Sequence, residues 1–301
     1  MKLAVCIPVY QVDVCALVRQ LHHEIEQNKL PVEICILDDA SSQEIRATNE
    51  AIRPLCATYV ELKTNLGRSG IRNQFLNHTQ AENLLFVDCD ILPVSESFLR
   101  NYLHIADAAV VSCGGHIYPD TPPKQSEQLK WKVGRERESR SLDVRRNCGW
   151  KSFMPSNFCI KRAVFERIKF EERLSGYGHE DTLFAFRLYQ KGIAITHLDN
   201  PVRITDTEQN QIYLQKTEQG IRNLNHVAQL LNQDGEFERG IRLLKFYRQL
   251  KTTGLLPLFM GIFTWIESPL RRKLLQAALP LCCFDLYKLG MLAKVRKELI
   301  G

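Results

Sequence analysis

The stretch that decides the fold of this 301-residue chain is Leu84-Leu85-Phe86-Val87-Asp88-Cys89-Asp90. Consecutive apolar residues followed at once by two acidic ones predict a buried strand with polar side chains at its carboxyl end. Side-chain direction alternates along a strand, so Asp88 and Asp90 point to the same side. Two carboxylates in this position form a partial site for Mg2+ or Mn2+, which prefer oxygen ligands and share their coordination with phosphates. The alternative is an ordinary turn, where Asp is also common.

Short apolar runs alternate with helix-like spacing through the first 115 residues. This alternation indicates an α/β fold with a mostly parallel sheet flanked by helices. Ligands bind beyond the carboxyl ends of such strands, so the polar residues just after each strand are candidates for a site. The predicted strands are 3–8, 32–37, 58–62, 84–87 and 108–113, and the predicted helices are 13–28, 43–54, 68–79 and 95–106.

The second half of the chain becomes more helical. Residues 124–140 are charged and helical, 181–191 predict a further helix, and 193–198 predict a strand. Beyond them the pattern is helical only, with the apolar spacing of an amphipathic helix. We predict an α/β domain over residues 1–210 and a C-terminal helical extension over residues 211–301.

The ten cysteines are scattered, and none stands in a Cys-x-x-Cys pair. Several lie inside apolar runs, as in Val5-Cys6-Ile7, which favours small buried hydrophobic residues in a reducing compartment over disulfides or zinc ligands. The opening residues reach Pro8 and Asp13 too soon for the apolar core of a signal peptide. We therefore expect a cytoplasmic protein.

The carboxyl-terminal region is basic. Residues 241–301 hold eleven Lys or Arg and three Asp or Glu, whereas the whole chain carries a formal net charge of +6. This asymmetry suits a surface that faces anionic lipid, although a solvated helical face has the same composition. The basic side chains lack interleaved aromatic residues or a recognition motif, which argues against nucleic acid as a partner.

Two apolar stretches in this region are candidates for membrane contact. Residues 254–266 are too few to cross a bilayer, which takes about 20 residues. Residues 274–293 contain Pro280, Asp285 and Lys288, which argue against a span. We expect either an amphipathic segment on the inner leaflet of the cell membrane, as in a peripheral protein, or a helix pair packed on the first domain.

Four short motifs stand at or after the predicted strands. They are Ile7-Pro8-Val9-Tyr10, Asp38-Asp39-Ala40-Ser41, Asp88-Cys89-Asp90 and Asn65-Leu66-Gly67-Arg68-Ser69-Gly70-Ile71-Arg72-Asn73. Together they resemble the family 2 glycosyltransferases of the GT-A fold. The resemblance implies a Rossmann-like sheet, a nucleotide-diphosphate sugar as donor, and Mn2+ or Mg2+ as cofactor. It also implies donor-binding roles for Pro8, Tyr10, Asp38, Asp39, Asn65, Gly67, Arg68, Arg72 and Asp88.

Within that set, the resemblance implies more specific roles for two aspartates. Asp39 accepts a hydrogen bond from the base, and Asp90 contacts the metal most directly. The residues of the motif 65–73 support a phosphate site on physical grounds as well, because a glycine-rich helix start offers N–H groups to an anion and Arg68 and Arg72 add positive charge. A simple helix entry is the alternative.

A further motif, Gly176-Tyr177-Gly178-His179-Glu180-Asp181, stands directly before a predicted helix. Its carboxylates fall in or near the first helical turn, where the helix dipole also favours acidic residues. The motif resembles the Gly-Trp-Gly-Gly-Glu-Asp segment of galactosyl- and N-acetylgalactosaminyltransferases. The resemblance implies that Asp181 is the catalytic base and that Glu180 hydrogen-bonds the acceptor sugar. It also implies that Tyr177 and Gly178 contact that sugar, with the Tyr177 ring beneath it.

The implied chemistry is direct displacement by an acceptor hydroxyl. A carboxylate that takes the proton of the hydroxyl accelerates such a step by about 10²–10⁴. The metal and the arginines stabilise the departing diphosphate, so one carboxylate suffices and the sugar inverts. We expect a UDP-linked donor and a glycan or lipid-linked glycan acceptor. A nucleotidyltransferase is disfavoured, because no glycine-rich loop follows the first strand.

Segments farther along the chain resemble bacterial polysaccharide-building members of the same family. Those relatives carry a second histidine shortly after Asn-Pro-Val, where this chain has Arg203-Ile204. That histidine is the third metal ligand implied by the resemblance, so the role passes here to His197, with His116 and His179 as alternatives. Its absence also leaves open a catalytically silent sugar-nucleotide-binding module of a membrane polysaccharide assembly complex. The segments are 114–118, 129–132, 155–158, 197–202 and 216–218.

Overall fold

The structure is a computed structural model that describes residues 2–174 and 176–298. In chain order its elements are β1 (Leu3–Val9), α1 (Cys15–Asn28), β2 (Val32–Asp38), α2 (Gln43–Asn49), β3 (Thr58–Glu61), α3 (Gly67–Gln74), β4 (Asn83–Val87), β5 (Ile91–Pro93), α4 (Phe98–Ile105), β6 (Val111–Cys113), β7 (His116–Ile117), α5 (Gln128–Val133), α6 (Leu142–Cys148), β8 (Asn157–Lys161), α7 (Arg162–Phe165), α8 (Glu180–Gln190), β9 (Ile195–His197), β10 (Val202–Ile204), α9 (Asn210–Leu230), α10 (Gly235–Gly240), α11 (Arg242–Thr252), α12 (Leu256–Leu275) and α13 (Leu281–Glu298). Short 3-10 and π-helical turns join several of them.

The central sheet has seven strands in the order β3-β2-β1-β4-β8-β6-β9. Strand β1 pairs in parallel with β2 and β4, β2 pairs in parallel with β3, and β6 with β9. Strand β8 runs antiparallel between β4 and β6. The predicted α/β class, with a mostly parallel sheet flanked by helices, is confirmed.

Helices cover both faces of this sheet, and side chains of β1 alternate between them. Val5 and Ile7 enter one apolar core, whereas Cys6 enters the other. Apolar runs without polar interruption are what strands buried on both faces require. In the second core Phe184 of α8 stacks on Phe170 with ring centroids 4.3 Å apart. This packing fixes the first turn of α8 relative to the sheet.

The structure differs from the predicted elements in several places. The predicted strand 108–113 shortens to β6, the predicted helix 68–79 gives way after Gln74 to a 3-10 turn, and residues 124–140 divide into α5 and a π-helical stretch, Gly134–Glu138. Strand β8 was not predicted at all.

A second, three-stranded sheet has the order β5-β10-β7. Its register places Ile204 opposite Ile91 and Val202 opposite His116. Just beyond β10, the N–H and Oγ1 of Thr205 both donate to the backbone oxygen of Asp90, at 3.0 and 2.9 Å. The small sheet therefore holds the backbone that follows β4.

The described residues divide into two compact units. Of these residues, the first unit holds 2–119, 138–173 and 180–206, and the second holds 120–137, 174, 176–179 and 207–298. Within the second unit, α9 packs on α12 and α13 around a core that includes Leu214, Phe263 and Leu274. A domain boundary near residue 210 stays a prediction. Throughout the described part of the chain, each helix is too short or too polar to cross a bilayer.

Candidate active site

The turn after β2 joins the carboxyl ends of β1 and β2. The Asp39 N–H donates to the Val9 oxygen at 2.7 Å, and the Gln11 N–H donates to Ser41 Oγ at 2.9 Å. Asp38 Oδ1 accepts a hydrogen bond from the Ser41 N–H at 2.7 Å, whereas the buried Asp38 Oδ2 has no hydrogen-bond partner. The two aspartates predicted to hold the nucleoside therefore lie in a hydrogen-bonded turn at this edge of the sheet.

The end of β1 lies beside both predicted acidic motifs. Pro8 pairs with Leu37, one residue before Asp38. Tyr10 is half-exposed, and a hydrogen bond with its backbone opposes the burial that raises the pKa of Cys89 to about 12. Pro8 and Tyr10 are thus brought together with the turn after β2 and with the segment after β4.

Asp39 holds the start of helix α3. Its carboxylate accepts hydrogen bonds from the Leu66 N–H at 2.7 Å and from the Gly67 N–H at 3.0 Å, and Asn65 Nδ2 donates to its backbone oxygen at 3.0 Å. Gly67 has a φ of +73°, a backbone conformation that glycine adopts without strain. Burial raises the pKa of Asp39, and the two N–H donors oppose the shift. Asn65 and Gly67 are therefore positioned by Asp39.

Arg72 of α3 connects the acidic segment after β4 with the start of α8. Its Nη2 donates to Asp88 Oδ1 at 2.7 Å, and its Nη1 lies 3.9 Å from Glu180 Oε1. Arg68 Nη1 lies 3.9 Å from the same Glu180 oxygen. Arg72 is only 3% exposed, and its guanidinium lies over the Phe170 ring at 5.4 Å. The structure thus brings residues predicted for the donor and for the acceptor into one charged cluster.

Glu180 and Asp181 begin helix α8. Burial raises the pKa of Glu180. The negative charge of Asp181 raises it further, and the positive charges of Arg68 and Arg72 lower it. Burial also raises the pKa of Asp181. Asp181 Oδ1 accepts hydrogen bonds from the Thr182 N–H at 2.7 Å and from Thr182 Oγ1 at 3.3 Å. A carboxylate whose pKa is raised while it stays ionised at neutral pH is a stronger base.

The turn before α8 belongs to the second compact unit. Gly178 has a φ of +95°, and a Cβ built there would lie 3.2 Å from the Gly220 backbone, so glycine is required at this turn. Asn223 Nδ2 donates to the backbone oxygens of Tyr177 and Gly178 at 3.1 and 3.2 Å. Lys216 Nζ lies 5.4 Å from the centre of the Tyr177 ring. Helix α9 therefore fixes the backbone of the predicted acceptor residues.

The residues after β4 fit a metal ion that is shared with a substrate. Asp88 and Asp90 are both partly exposed, and in no part of the described ranges do three His, Cys, Asp or Glu side chains form a closed group for a metal. An ion that takes several ligands from a diphosphate needs only such a partial set. The His116 side chain is only 8% exposed, and its Nε2 has no hydrogen-bond partner. Burial lowers the pKa of His116, and the negative charges of Glu138, whose Oε2 lies 3.8 Å from His116 Nε2, and of Asp88 oppose the shift.

His197 lies on β9, apart from the residues that follow β4, and its role as a metal ligand stays a prediction that this position does not favour. Its Nε2 lies 3.1 Å from the Gly149 oxygen, and its Nδ1 lies 3.5 Å from Arg145 Nη1. In the sheet, β9 is separated from β4 by β8 and β6, a distance of about 14 Å at the usual strand spacing. His197 is buried and contacts Gly149 and Arg145, which supports a structural role for it.

Sequence reasoning missed the buried polar residues that support this region. Asn157 Nδ2 donates to the backbone oxygens of Gly115 and Asn200, at 2.8 and 2.9 Å. Tyr102 Oη donates to Asn157 Oδ1 at 2.7 Å. A Cβ at Gly114 would lie 2.3 Å from the Asn200 oxygen, so only glycine fits there. This network holds the chain that carries His116, and no local pattern in the sequence reveals contacts so distant along the chain.

Comparison with solved structures reveals the same fold in known sugar transferases. S. aureus TarS matches with 18% identity and a TM-score of 0.54, covering 99% of this chain and 55% of that one. A mannosyltransferase from Pyrobaculum calidifontis, solved with GDP-Man and Mn2+, matches with 15% identity and a TM-score of 0.55, covering 99% and 87%. TarS 1–349, solved with UDP-GlcNAc, has 17% identity and a TM-score of 0.50, covering 99% and 92%. At such identities the likeness concerns the fold.

The chain spans about half the length of the TarS chain that it matches. Among curated proteins, none matches. The sequence profile of Glycosyl transferase family 2 matches residues 4–169, more than half of the chain and the whole of the region from β1 to β8. With the shared fold of its structural neighbours, this match means that the chain belongs to glycosyl transferase family 2.

Proposed function

We propose that this glycosyltransferase moves a sugar from a UDP donor to a hydroxyl of a glycan or lipid-linked glycan, with inversion and with Asp181 as general base. The observation that carries the proposal is the contact of Arg72 with both Asp88 and Glu180. It joins the predicted donor side and the predicted acceptor side in one cluster. Nucleotide sugars bound to the structural neighbours, UDP-GlcNAc and GDP-Man, support the donor class.

On the donor side, the turn of Asp38 and Asp39 and the end of β1 would hold the nucleoside. Asp90, Asp88 and His116 would hold Mn2+ or Mg2+ together with the diphosphate. The bound ion would supply Lewis-acid stabilisation of the negative charge on the leaving group. Arg68, which is exposed, adds a positive charge that can face the phosphates, whereas the buried Arg72 orients Asp88 through their hydrogen bond.

On the acceptor side, Asp181 would take the proton of the attacking hydroxyl. Its Oδ1 is oriented by Thr182, and the nearby positive charge of Arg72 helps to keep it ionised despite burial. Glu180 would accept a hydrogen bond from the acceptor sugar, and the Tyr177 ring would stack on it. The basic carboxyl-terminal region further supports a cytoplasmic location at the inner face of the cell membrane, where lipid-linked acceptors are found.

The experiment that tests this function compares Asp181→Asn with wild type in UDP-sugar turnover and in UDP binding by calorimetry with Mn2+. We expect turnover to fall by about 10²–10⁴ while UDP binding is retained, because the base acts on the acceptor and not on the nucleotide. Asp107→Asn, which changes an exposed aspartate paired with Lys2, is the control. Unchanged turnover in Asp181→Asn would remove Asp181 as the base. Wild-type binding without any turnover would favour a silent sugar-nucleotide-binding module.

A further inference from the structure

Helix α12 carries an apolar stripe that faces solvent. Leu255, Leu258, Ile262 and Trp265 are 50%, 64%, 55% and 85% exposed. Their spacing of three, four and three residues places them on one face of the helix. Phe263, on a different face, is fully buried in the core of the second unit. The α12 stripe, as we name these four residues, is therefore an addition to the folded helix bundle and is not needed for its core.

Basic side chains flank the α12 stripe at both of its ends. Arg248 and Lys251 are exposed shortly before it, and Arg272 and Lys273 are exposed shortly after it. From Arg242 to Phe284 the sequence holds seven basic residues and one acidic residue, Glu267. Glu267 forms an ion pair with Lys294, so its charge is already neutralised. The surface around the stripe is consequently apolar at its centre and positive at both ends.

We propose that the α12 stripe and its basic flanks form a docking surface for a bilayer that contains anionic lipid. Such a helix lies in the plane of the interface, with its apolar side chains about 5–10 Å deep and its basic side chains at the headgroups. Tryptophan is favoured at this depth because its ring is apolar and its N–H is polar. This inference rests on the membrane location proposed above and adds the surface and the lipid class.

Charge argues for this occupant over a second copy of the chain. Two copies joined through the α12 stripe would bring the same basic flanks together, and like charges in an interface are unfavourable. A soluble polyanion would account for the basic residues, but it would not explain why a tryptophan and three aliphatic side chains stand exposed between them. An anionic bilayer satisfies both the apolar centre and the positive ends.

Flotation of the full chain with vesicles tests the proposal. Vesicles of phosphatidylcholine with about one third phosphatidylglycerol should bind the wild type, and vesicles of phosphatidylcholine alone should bind it at least about tenfold more weakly. Leu258→Gln/Ile262→Gln/Trp265→Gln and, separately, Arg272→Gln/Lys273→Gln should each lose at least about tenfold in partition. Val144→Gln, at an exposed valine of the first unit, should bind as the wild type does.

Circular dichroism and donor hydrolysis of each variant are measured in the absence of vesicles. A triple variant (Leu258→Gln/Ile262→Gln/Trp265→Gln) that is folded and hydrolyses the donor but no longer binds vesicles supports the docking surface. If the wild type fails to float with anionic vesicles, or if the triple variant floats as well as the wild type does, the docking surface is overturned. Sedimentation that shows a wild-type dimer, dispersed by the triple variant without any vesicle binding, would assign the stripe to a second copy instead. If the wild type binds anionic vesicles but does not hydrolyse the donor, the proposed function is contradicted and the docking surface is not.

Discussion

Asp39 and Asp181 both stand near the start of a helix, but the structure uses them in opposite ways. Asp39 reaches across the chain to accept the N–H groups of Leu66 and Gly67, 27 and 28 residues away. Among the hydrogen bonds of the described residues, Asp181 accepts from its own neighbour, Thr182. The first carboxylate organises the backbone of the predicted donor side, whereas the second is oriented by a residue of its own helix turn. The difference teaches that an acidic residue at a helix start can organise distant backbone or remain available for chemistry.

Arg72 contacts residues of both the predicted donor side and the predicted acceptor side, and its removal should have the largest effect on stability. In Arg72→Met the buried guanidinium that pairs with Asp88 and approaches Glu180 is lost. Breaking such a buried pair costs about 3–5 kcal/mol of stability, because the remaining carboxylates lose their partner. Arg53→Met, which removes a partly exposed arginine paired with Glu50 and Glu61 and lying over the Tyr59 ring, should cost about 1 kcal/mol, clearly less than Arg72→Met.

Urea unfolding of both variants measures this difference. Equal losses in Arg72→Met and Arg53→Met would mean that the link between the donor and acceptor sides contributes nothing beyond a surface ion pair.

His116 and His197 are the two candidate metal ligands to compare on the predicted donor side. His116→Gln should raise the Mn2+ concentration for half-maximal turnover by about tenfold or more, because a ligand or near neighbour of the ion is lost. His197→Gln should leave that concentration unchanged while it lowers stability by about 1 kcal/mol, through loss of the contacts with Gly149 and Arg145. A Mn2+ titration of turnover decides between them. The reverse result would restore His197 as the ligand.

Asp39 itself can be tested against a matched aspartate. Asp39→Ala should cost about 1–2 kcal/mol, as for a lost helix cap, and should also weaken UDP binding. Asp234 likewise accepts from two backbone N–H groups, those of Glu236 and Phe237, at the start of α10. Asp234→Ala should cost a similar amount and leave UDP binding as it is. If calorimetry shows equal UDP affinity in both variants, Asp39 has no role in the donor site.

The smallest expected effect concerns pH and the acceptor side. Because burial raises the pKa of Asp181, the folded protein holds the proton to a higher pH than the unfolded chain does. Stability attributable to this group is therefore greatest at low pH and decreases as pH rises from about 3.9 through the raised pKa. Turnover should rise over the same window, because the base must be ionised. In Asp181→Asn, urea unfolding should no longer show this pH dependence of stability, and the residual turnover should no longer rise over this window. If both pH dependences persist in the variant, they belong to another group.

The sequence allowed prediction of the strands that are continuous in apolar residues. β1, β2 and β4, with the acidic residues that follow β2 and β4, were located because burial on both faces leaves apolar runs of four or more residues. β8 was missed because its apolar run, Phe158-Cys159-Ile160, is short and lies in an irregular stretch of sequence. The burial of its first residue, Asn157, depends on hydrogen bonds to Gly115 and Asn200, which no local pattern shows.

The candidate site was likewise predictable in part. Its acidic motifs could be found at strand and helix ends, but the position of Arg72 could not. The sequence predicts Arg72 near the phosphates, but not that it is buried and contacts both Asp88 and Glu180; its role toward the phosphates stays a prediction. His197 was assigned from resemblance, and the strand order, which only tertiary structure supplies, sets it apart from β4.

A crystal structure of the protein with UDP and Mn2+, with the ion located by anomalous scattering, tests the central proposal most directly. We predict an anomalous peak between the Asp90 carboxylate and the diphosphate, with the carboxylate of Asp181 facing the same bound nucleotide. A peak that lies away from Asp88 and Asp90, or an Asp181 carboxylate turned away from the diphosphate, would contradict the proposed site.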